Sequence, residues 1–340
     1  MASADSSFAD TSASHYVQTL QVFEPVYAWQ QTAWQQLTQS AGVGKLPHAL
    51  LIAGKSGTAK HRFALQLSAW ILCQDRQSAH ACGSCTSCNW IKAGTHPDIV
   101  HLIPAADSKS QTIRIDEIRD NLVPFANQRG SGYRIVYVPE ATQINLASAN
   151  ALLKLLEEPP ERCQFVMVSD SASQLLPTLI SRLQRVDAAS PGIDQSIAWL
   201  ESMGKSDALN RLKLSDFSPL KAADLDLQQV MGNLKNALLV WQALRIGQRD
   251  PASASVFWAA RMSLGEYLAV LDQLLIDTQS LSLALEPVMA DLPWERLDPL
   301  PAFDAITQIQ QFIYDNRRLA KQNIAEQNTL DQLHHLLAQS

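Results

Sequence analysis

Four short, nearly continuous apolar runs recur along the first half of the chain: HALLIAG at 48–54, PDIVHLIP at 97–104, YRIVYVPE at 133–140 and CQFVMVSD at 163–170. Between them the apolar residues fall at helical spacing. Phe63, Leu67, Trp70 and Ile71 share one face after the first run, and Ile115, Ile118 and Leu122 share one within 113–127. The segment NLASANALLKLLEEPP (145–160) reads as a helix stopped by its paired prolines. LLPTLISRLQRVD (175–187) reads as a short helix or turn leading to a last strand. Strands that are apolar on both faces need a parallel sheet covered on each side by helices. Residues 24–187 are therefore expected to form an α/β domain of nucleotide-binding type. Beyond AASPG (188–192) the strand pattern stops; small helices are expected over 188–226 and an all-α domain over 227–340, broken by Pro287, Pro293, Pro299 and Pro301. The fold class is thus α/β plus all-α.

The first strand runs straight into GKSGTAKH, where a phosphate-binding loop would stand. Such a loop needs G-x-x-x-x-G-K-[ST]: glycines let backbone N–H groups surround phosphate, the lysine meets the β and γ phosphates, and the hydroxyl holds magnesium. Here Gly54, Gly57 and Lys60 keep their places. Ala59 stands where glycine is normal, and a left-handed backbone there costs about 1–2 kcal/mol. His61 replaces the hydroxyl, and a hard magnesium ion prefers oxygen. The acidic pair expected after RIVYV is Pro139-Glu140, so the metal-orienting aspartate is missing. Three faults in one site speak against Mg-ATP hydrolysis; the strand before and helix after favour a degenerate P-loop over the alternative, a mere glycine-rich turn.

Cys82, Cys85 and Cys88 form C-x-x-C-x-x-C, and Cys73 precedes them at a helix end. The opening MASADSSFADTSASH has neither a basic start nor an apolar run, so residues 1–23 are expected to be a disordered tail and not a signal peptide. With no bilayer-length apolar run either, the expected location is the cytoplasm, where thiols stay reduced and clustered cysteines point to metal before disulfide. Four thiolates with no open position suit a structural Zn²⁺. An iron–sulfur cluster or unrelated buried thiols are the alternatives, and His80 stands close enough to replace Cys73. Cys163 reads as a small buried residue at a strand start.

Taken in order, the faulty loop, the cysteines of 73–88, AGTHPD (93–98), NALLKLLEEPP (150–160) and TLISR (178–182) resemble the delta-prime subunits of the bacterial DNA polymerase III clamp loader, a branch of the AAA+ ATPases. The resemblance is specific over residues 24–187 and agrees beyond them more in layout than in motif. It implies an AAA+ core at 24–187, a small helical lid at 188–226 and a collar domain at 227–340 that packs with its counterparts in other subunits. It implies a non-catalytic stator in a hetero-oligomer that opens the sliding clamp and places it on primed DNA, with gamma/tau ATPase subunits and delta as partners and no membrane. No ATPase activity of its own is expected, only membership of the polymerase III holoenzyme. It also implies one chemical role. The family's Ser-Arg-Cys motif carries an arginine that reaches ATP on the neighbouring subunit, and here it reads Ser181-Arg182-Leu183. Without the resemblance, Arg182 reads as an ordinary surface arginine.

Two other readings compete. An active gamma/tau-type ATPase is opposed by Ala59, His61 and Pro139. A zinc-dependent DNA-binding module is opposed by the net charge of −6 and by the lack of a basic stripe near the cysteines. Glu157-Glu158, a like-charge pair at a helix C-terminus, suggests a basic group on an outside partner. The basic segment 314–323 faces either solvent or a neighbour.

Overall fold

The computed structural model describes residues 22–76, 79–105, 112–127, 132–187, 190–319 and 326–340, excepting the side chains of 317–319. Most of the expected tail, residues 1–21, lies outside the described residues, as does much of the basic segment 314–323. The chain divides into two compact units. The first runs up to Ser206 and adds Phe217–Asp224; the second is Asp207–Asp216 with Leu225–Ser340.

The first unit is built on five parallel strands: β1 Ala49–Ala53, β2 Ile99–His101, β3 Arg134–Val138, β4 Cys163–Ser169 and β5 Gln184–Asp187, in the order β2-β3-β4-β1-β5. The alternation of side chains across a strand explains the continuous apolar runs. Leu50 and Ile52 of β1 face one layer with Phe63, Leu67 and Trp34, while Ala49, Leu51 and Ala53 face the other with Ile118, Leu122 and Leu152. Both faces are covered by helices, the first layer by α1 Gln31–Gly42 and α2 Lys60–Leu72 among them. Three details depart from the pattern. β2 is only three residues long, and Glu117–Leu122 winds as a π-helix before it becomes α-helical at Val123–Ala126. β5, QRVD, is mostly exposed. It is an edge strand, and charges on an edge discourage pairing with other chains.

The second unit is helical among its described residues. Leu227–Arg245, Pro251–Ala259, Leu264–Ser282, Phe303–Leu319 and Glu326–Gln339 enclose a core that includes Trp241, Trp258, Leu271, Ile309 and Leu333. The proline-rich stretch between the third and fourth of these helices holds only the 3₁₀ turn Trp294–Leu297. Among the polar groups sealed inside, the His334 ring sits between Ser255 Oγ (2.9 Å from Nδ1) and Tyr267 Oη (2.8 Å from Nε2). Burial pushes its pKa down to about 4. No helix among the described residues is long and apolar enough to cross a membrane.

Candidate functional site

The loop after β1 is left-handed at two positions, and other segments of the first unit bond its carbonyls. Ala59, the N-cap of α2, is left-handed with φ 65°, the conformation that makes glycine usual there. Gly57 is also left-handed, at φ 76°, and a Cβ on it would stand 1.7 Å from Ser218 Oγ. Ser218 immediately precedes the short helix Pro219–Asp224, whose Leu220 N–H donates to the Gly57 carbonyl at 3.4 Å. The Thr58 carbonyl accepts from Trp29 Nε1 (3.3 Å) and Gln30 Nε2 (2.9 Å). Trp29 stacks on Tyr27 at 4.5 Å, and Trp199 packs edge-on against both.

Lys60 is 1% exposed, and its ammonium forms an ion pair with Asp170 just past the end of β4. Register explains the meeting: Ala53 pairs with Ser169, and Gly54 N–H donates to the Ser169 carbonyl, so Asp170 stands beside the start of the loop. His61 is buried, with Nδ1 3.4 Å from Tyr137 Oη. Burial, and then the charge of Lys60, pushes its pKa down to about 3, so the ring is neutral. Pro139 is buried. Glu140 points away from metal chemistry: it caps the 3₁₀ turn Ala141–Gln143, accepting from Thr142 N–H (3.3 Å) and Thr142 Oγ1 (2.6 Å).

The cysteines do converge. The Sγ atoms of Cys73, Cys82, Cys85 and Cys88 all lie within 4.8 Å of one another, so the group can hold a metal ion. Sulfur separations of 4.0 Å (Cys73–Cys85), 3.9 Å (Cys82–Cys88) and 3.7 Å (Cys73–Cys88) fit the chemistry of such a centre. Four sulfurs tetrahedral at ~2.3 Å from zinc stand about 3.8 Å apart. Backbone N–H groups aim at the sulfurs: Cys82 at Cys73 (3.3 Å), Cys85 at Cys82 (3.3 Å) and Cys88 at Cys85 (3.5 Å). Such donors favour thiolate. The N–H groups of Ser84 and Cys85 draw the Cys82 thiol down to about 6, while burial pushes Cys88 and Cys73 up. The cluster contains no histidine; His80 Nδ1 is bonded to the Ala81 carbonyl at 2.8 Å.

The motif AGTHPD is the brace of this module. Gly94 ends helix Thr86–Ala93 at φ 68°. His96 Nδ1 accepts from Asp98 N–H at 3.0 Å, so its Nε2 carries the proton and bonds Ser87 Oγ at 2.8 Å, next to Cys88. Cys163 is buried at the start of β4.

Arg182 lies after the short helix Pro177–Ile180 and is 44% exposed. Its Nη1 donates to Ser181 Oγ (3.0 Å) and its Nη2 to Glu157 Oε1 (3.0 Å); Ser181 Oγ donates to the Thr178 carbonyl (2.9 Å). Leu183 is half-buried against the core. The basic partner expected for Glu157 on another chain is thus present on this one.

The family description DNA polymerase III, delta subunit, matches residues 29–191. A DNA polymerase III subunit delta' from Yersinia pestis is 31% identical over 295 residues, covering 78% of this chain and 86% of that one. The Escherichia coli subunit delta' is 32% identical over 250 residues, 69% of this chain and 74% of its own. This chain belongs to the DNA polymerase III subunit delta' family. A third delta', from Pseudomonas aeruginosa, is 38% identical over 211 residues, though the match spans 60% of this chain and only 62% of that relative.

The spacing of the cysteines pointed to the group that converges, but two residues that contact the loop, Asp170 and Ser218, were missed. Asp170 was in plain view as the acid after an apolar strand, yet only the sheet order puts β4 beside β1. Ser218 carries no signal in the sequence, because its place depends on how a segment some 160 residues away folds back.

Proposed function

We propose that this chain is a non-catalytic subunit of the DNA polymerase III clamp loader, a stator that helps place the sliding clamp on primed DNA. In this reading it spends no ATP. Arg182 reaches the nucleotide of a neighbouring gamma/tau ATPase subunit, where a guanidinium can stabilise charge on the transferred phosphoryl group and raise turnover by ~10³–10⁵. The observation that carries the reading is the ion pair of Lys60 with Asp170: the loop lysine that would meet phosphate is spent on the chain's own carboxylate. The three-domain division at 24–187, 188–226 and 227–340, and delta as a second partner, belong to the same proposal. The test is a titration of the isolated protein with Mg-ATP. We expect no turnover; micromolar binding with turnover would replace this reading with the gamma/tau-type ATPase.

Structural zinc held by Cys73, Cys82, Cys85 and Cys88 is proposed with it. The ion would supply cross-linking, not catalysis, since four thiolates leave no open position. The purified protein should carry about one equivalent, as expected of a four-thiolate site. A Cys85→Ser protein that keeps its full metal content would exclude this ligand set.

A further inference from the structure

We propose that Glu157 is a positioning residue for Arg182: its carboxylate holds the guanidinium oriented for the nucleoside triphosphate of the neighbouring subunit. The inference rests on the reading of Arg182 given above and adds a residue to it.

Glu157 is the last residue of the helix Leu146–Glu157, and Glu158 follows it. A helix C-terminus carries partial negative charge, so two acids there are held against both the dipole and each other. An acid in that place needs a cation, and the structure supplies one, Arg182 Nη2 at 3.0 Å. The helix is a rigid mount. Asn145 caps its start by accepting from Ser148 N–H at 2.9 Å; Leu152 and Leu156 are buried; and His48 Nε2 bonds the Leu156 carbonyl at 2.9 Å, one residue before Glu157. Pro159 and Pro160 prevent the helix from continuing.

Arg182 comes from a separate element. Its second partner, Ser181, is itself anchored to Thr178. The guanidinium is therefore gripped from two sides. An arginine has five N–H donors in a planar fork, and these two bonds use two of them. Both members of the pair are about half exposed, at 44% and 48%, so phosphate oxygens can approach the remaining donors without removing the carboxylate. A fork held in place before the nucleotide arrives loses less rotamer freedom on meeting it. In such a pair Glu157 touches neither substrate nor reacting atoms; it acts through Arg182.

The experiment uses the complex reconstituted with its ATPase subunits, the sliding clamp and primed DNA, with steady-state ATP turnover as the readout. Glu157→Ala is expected to lower kcat by about 10- to 100-fold, the scale of misplacing a catalytic group, while KM for ATP and complex assembly stay at wild-type values. Glu157→Gln keeps an oxygen that can accept from Nη2 and should recover part of the loss. On an Arg182→Ala background, Glu157→Ala should change nothing further. Wild-type kcat for Glu157→Ala beside a crippled Arg182→Ala would overturn the positioning role and leave the arginine reading intact. Wild-type kcat for Arg182→Ala would overturn the arginine reading and this proposal with it. A Glu157→Ala effect confined to KM or to assembly would also overturn it, by making Glu157 merely structural.

Discussion

Lys60 and Arg182 are both cations paired with a carboxylate of their own chain, but the surroundings of the two pairs differ. Lys60 is 1% exposed, opens helix α2 and stands beside a loop whose Gly57 lies against Ser218. Arg182 is 44% exposed and stands after the short helix Pro177–Ile180. A buried ammonium already neutralised by an acid must give up that ion pair before it can meet a ligand's phosphate. An exposed guanidinium can add a second anion to the first. Under the proposed function, the same kind of pairing would withhold Lys60 from phosphate and leave Arg182 open to it.

The sharpest way to break this contrast is to remove each cation in turn from the assembled complex. Arg182→Ala should reduce DNA-stimulated ATP turnover by about 10³-fold or more. Lys60→Met, which keeps the buried stem, should leave it unchanged. Equal losses from both would mean that the loop still works on nucleotide.

Stability should invert the order. Asp170→Ala strands the buried Lys60 ammonium. It should cost about 3 kcal/mol, the low end for breaking a buried pair, since Asp170 is itself 54% exposed to water. Glu157→Ala breaks an exposed pair and should cost no more than about 1 kcal/mol. Urea denaturation of the two variants measures both. A loss at Asp170 as small as that at Glu157 would mean the Lys60 pair is not sealed.

Acid should find the loop end as well. His61 has its pKa pushed down to about 3 in the folded protein, against an ordinary value of 6.5. Between those values the unfolded chain binds the extra proton, so stability is full above pH 6.5 and falls as pH drops toward 3. At pH 5 the His61 contribution should have fallen by about 2 kcal/mol relative to pH 8. His101 and His334, with pKa values pushed down to about 4 by burial, add to the same slope. A His61→Gln protein should show a flatter decline of the urea midpoint between pH 8 and pH 5. An unchanged slope would mean that His61 is not held neutral.

Much of the first unit was legible because its strands are buried on both faces, which writes them as apolar runs. β5 was harder to read, since QRVD is an edge strand and its polarity follows from that position. The π-helical winding of Glu117–Leu122 has the same apolar stripe as an α-helix and so was invisible. The cysteine group could be read from spacing alone, because C-x-x-C turns are local. The partners of Lys60 and Arg182 could not. Asp170 and Glu157 lie 110 and 25 residues from them in sequence, and only the strand order and the return of the chain bring them together. Sequence displayed the missing hydroxyl and the missing aspartate; it did not display that the vacated charge had been taken up from within.

Ala59 offers the smallest test and separates backbone from charge. Its left-handed φ of 65° strains a residue with a Cβ by about 1–2 kcal/mol. Glycine at that position relieves the strain but gives the unfolded chain more freedom, worth about 0.4–1 kcal/mol. Ala59→Gly should therefore stabilise the protein by about 0.5–1 kcal/mol, the difference of these two effects, in the same urea assay. It also restores a glycine that a phosphate cradle would have. Tripolyphosphate added to this variant should nevertheless bind no better than to the wild type, because Lys60 is still held by Asp170 and Gly57 still abuts Ser218. Binding gained by Ala59→Gly alone would place the barrier in one methyl group and remove Asp170 from the account of why the two cations differ.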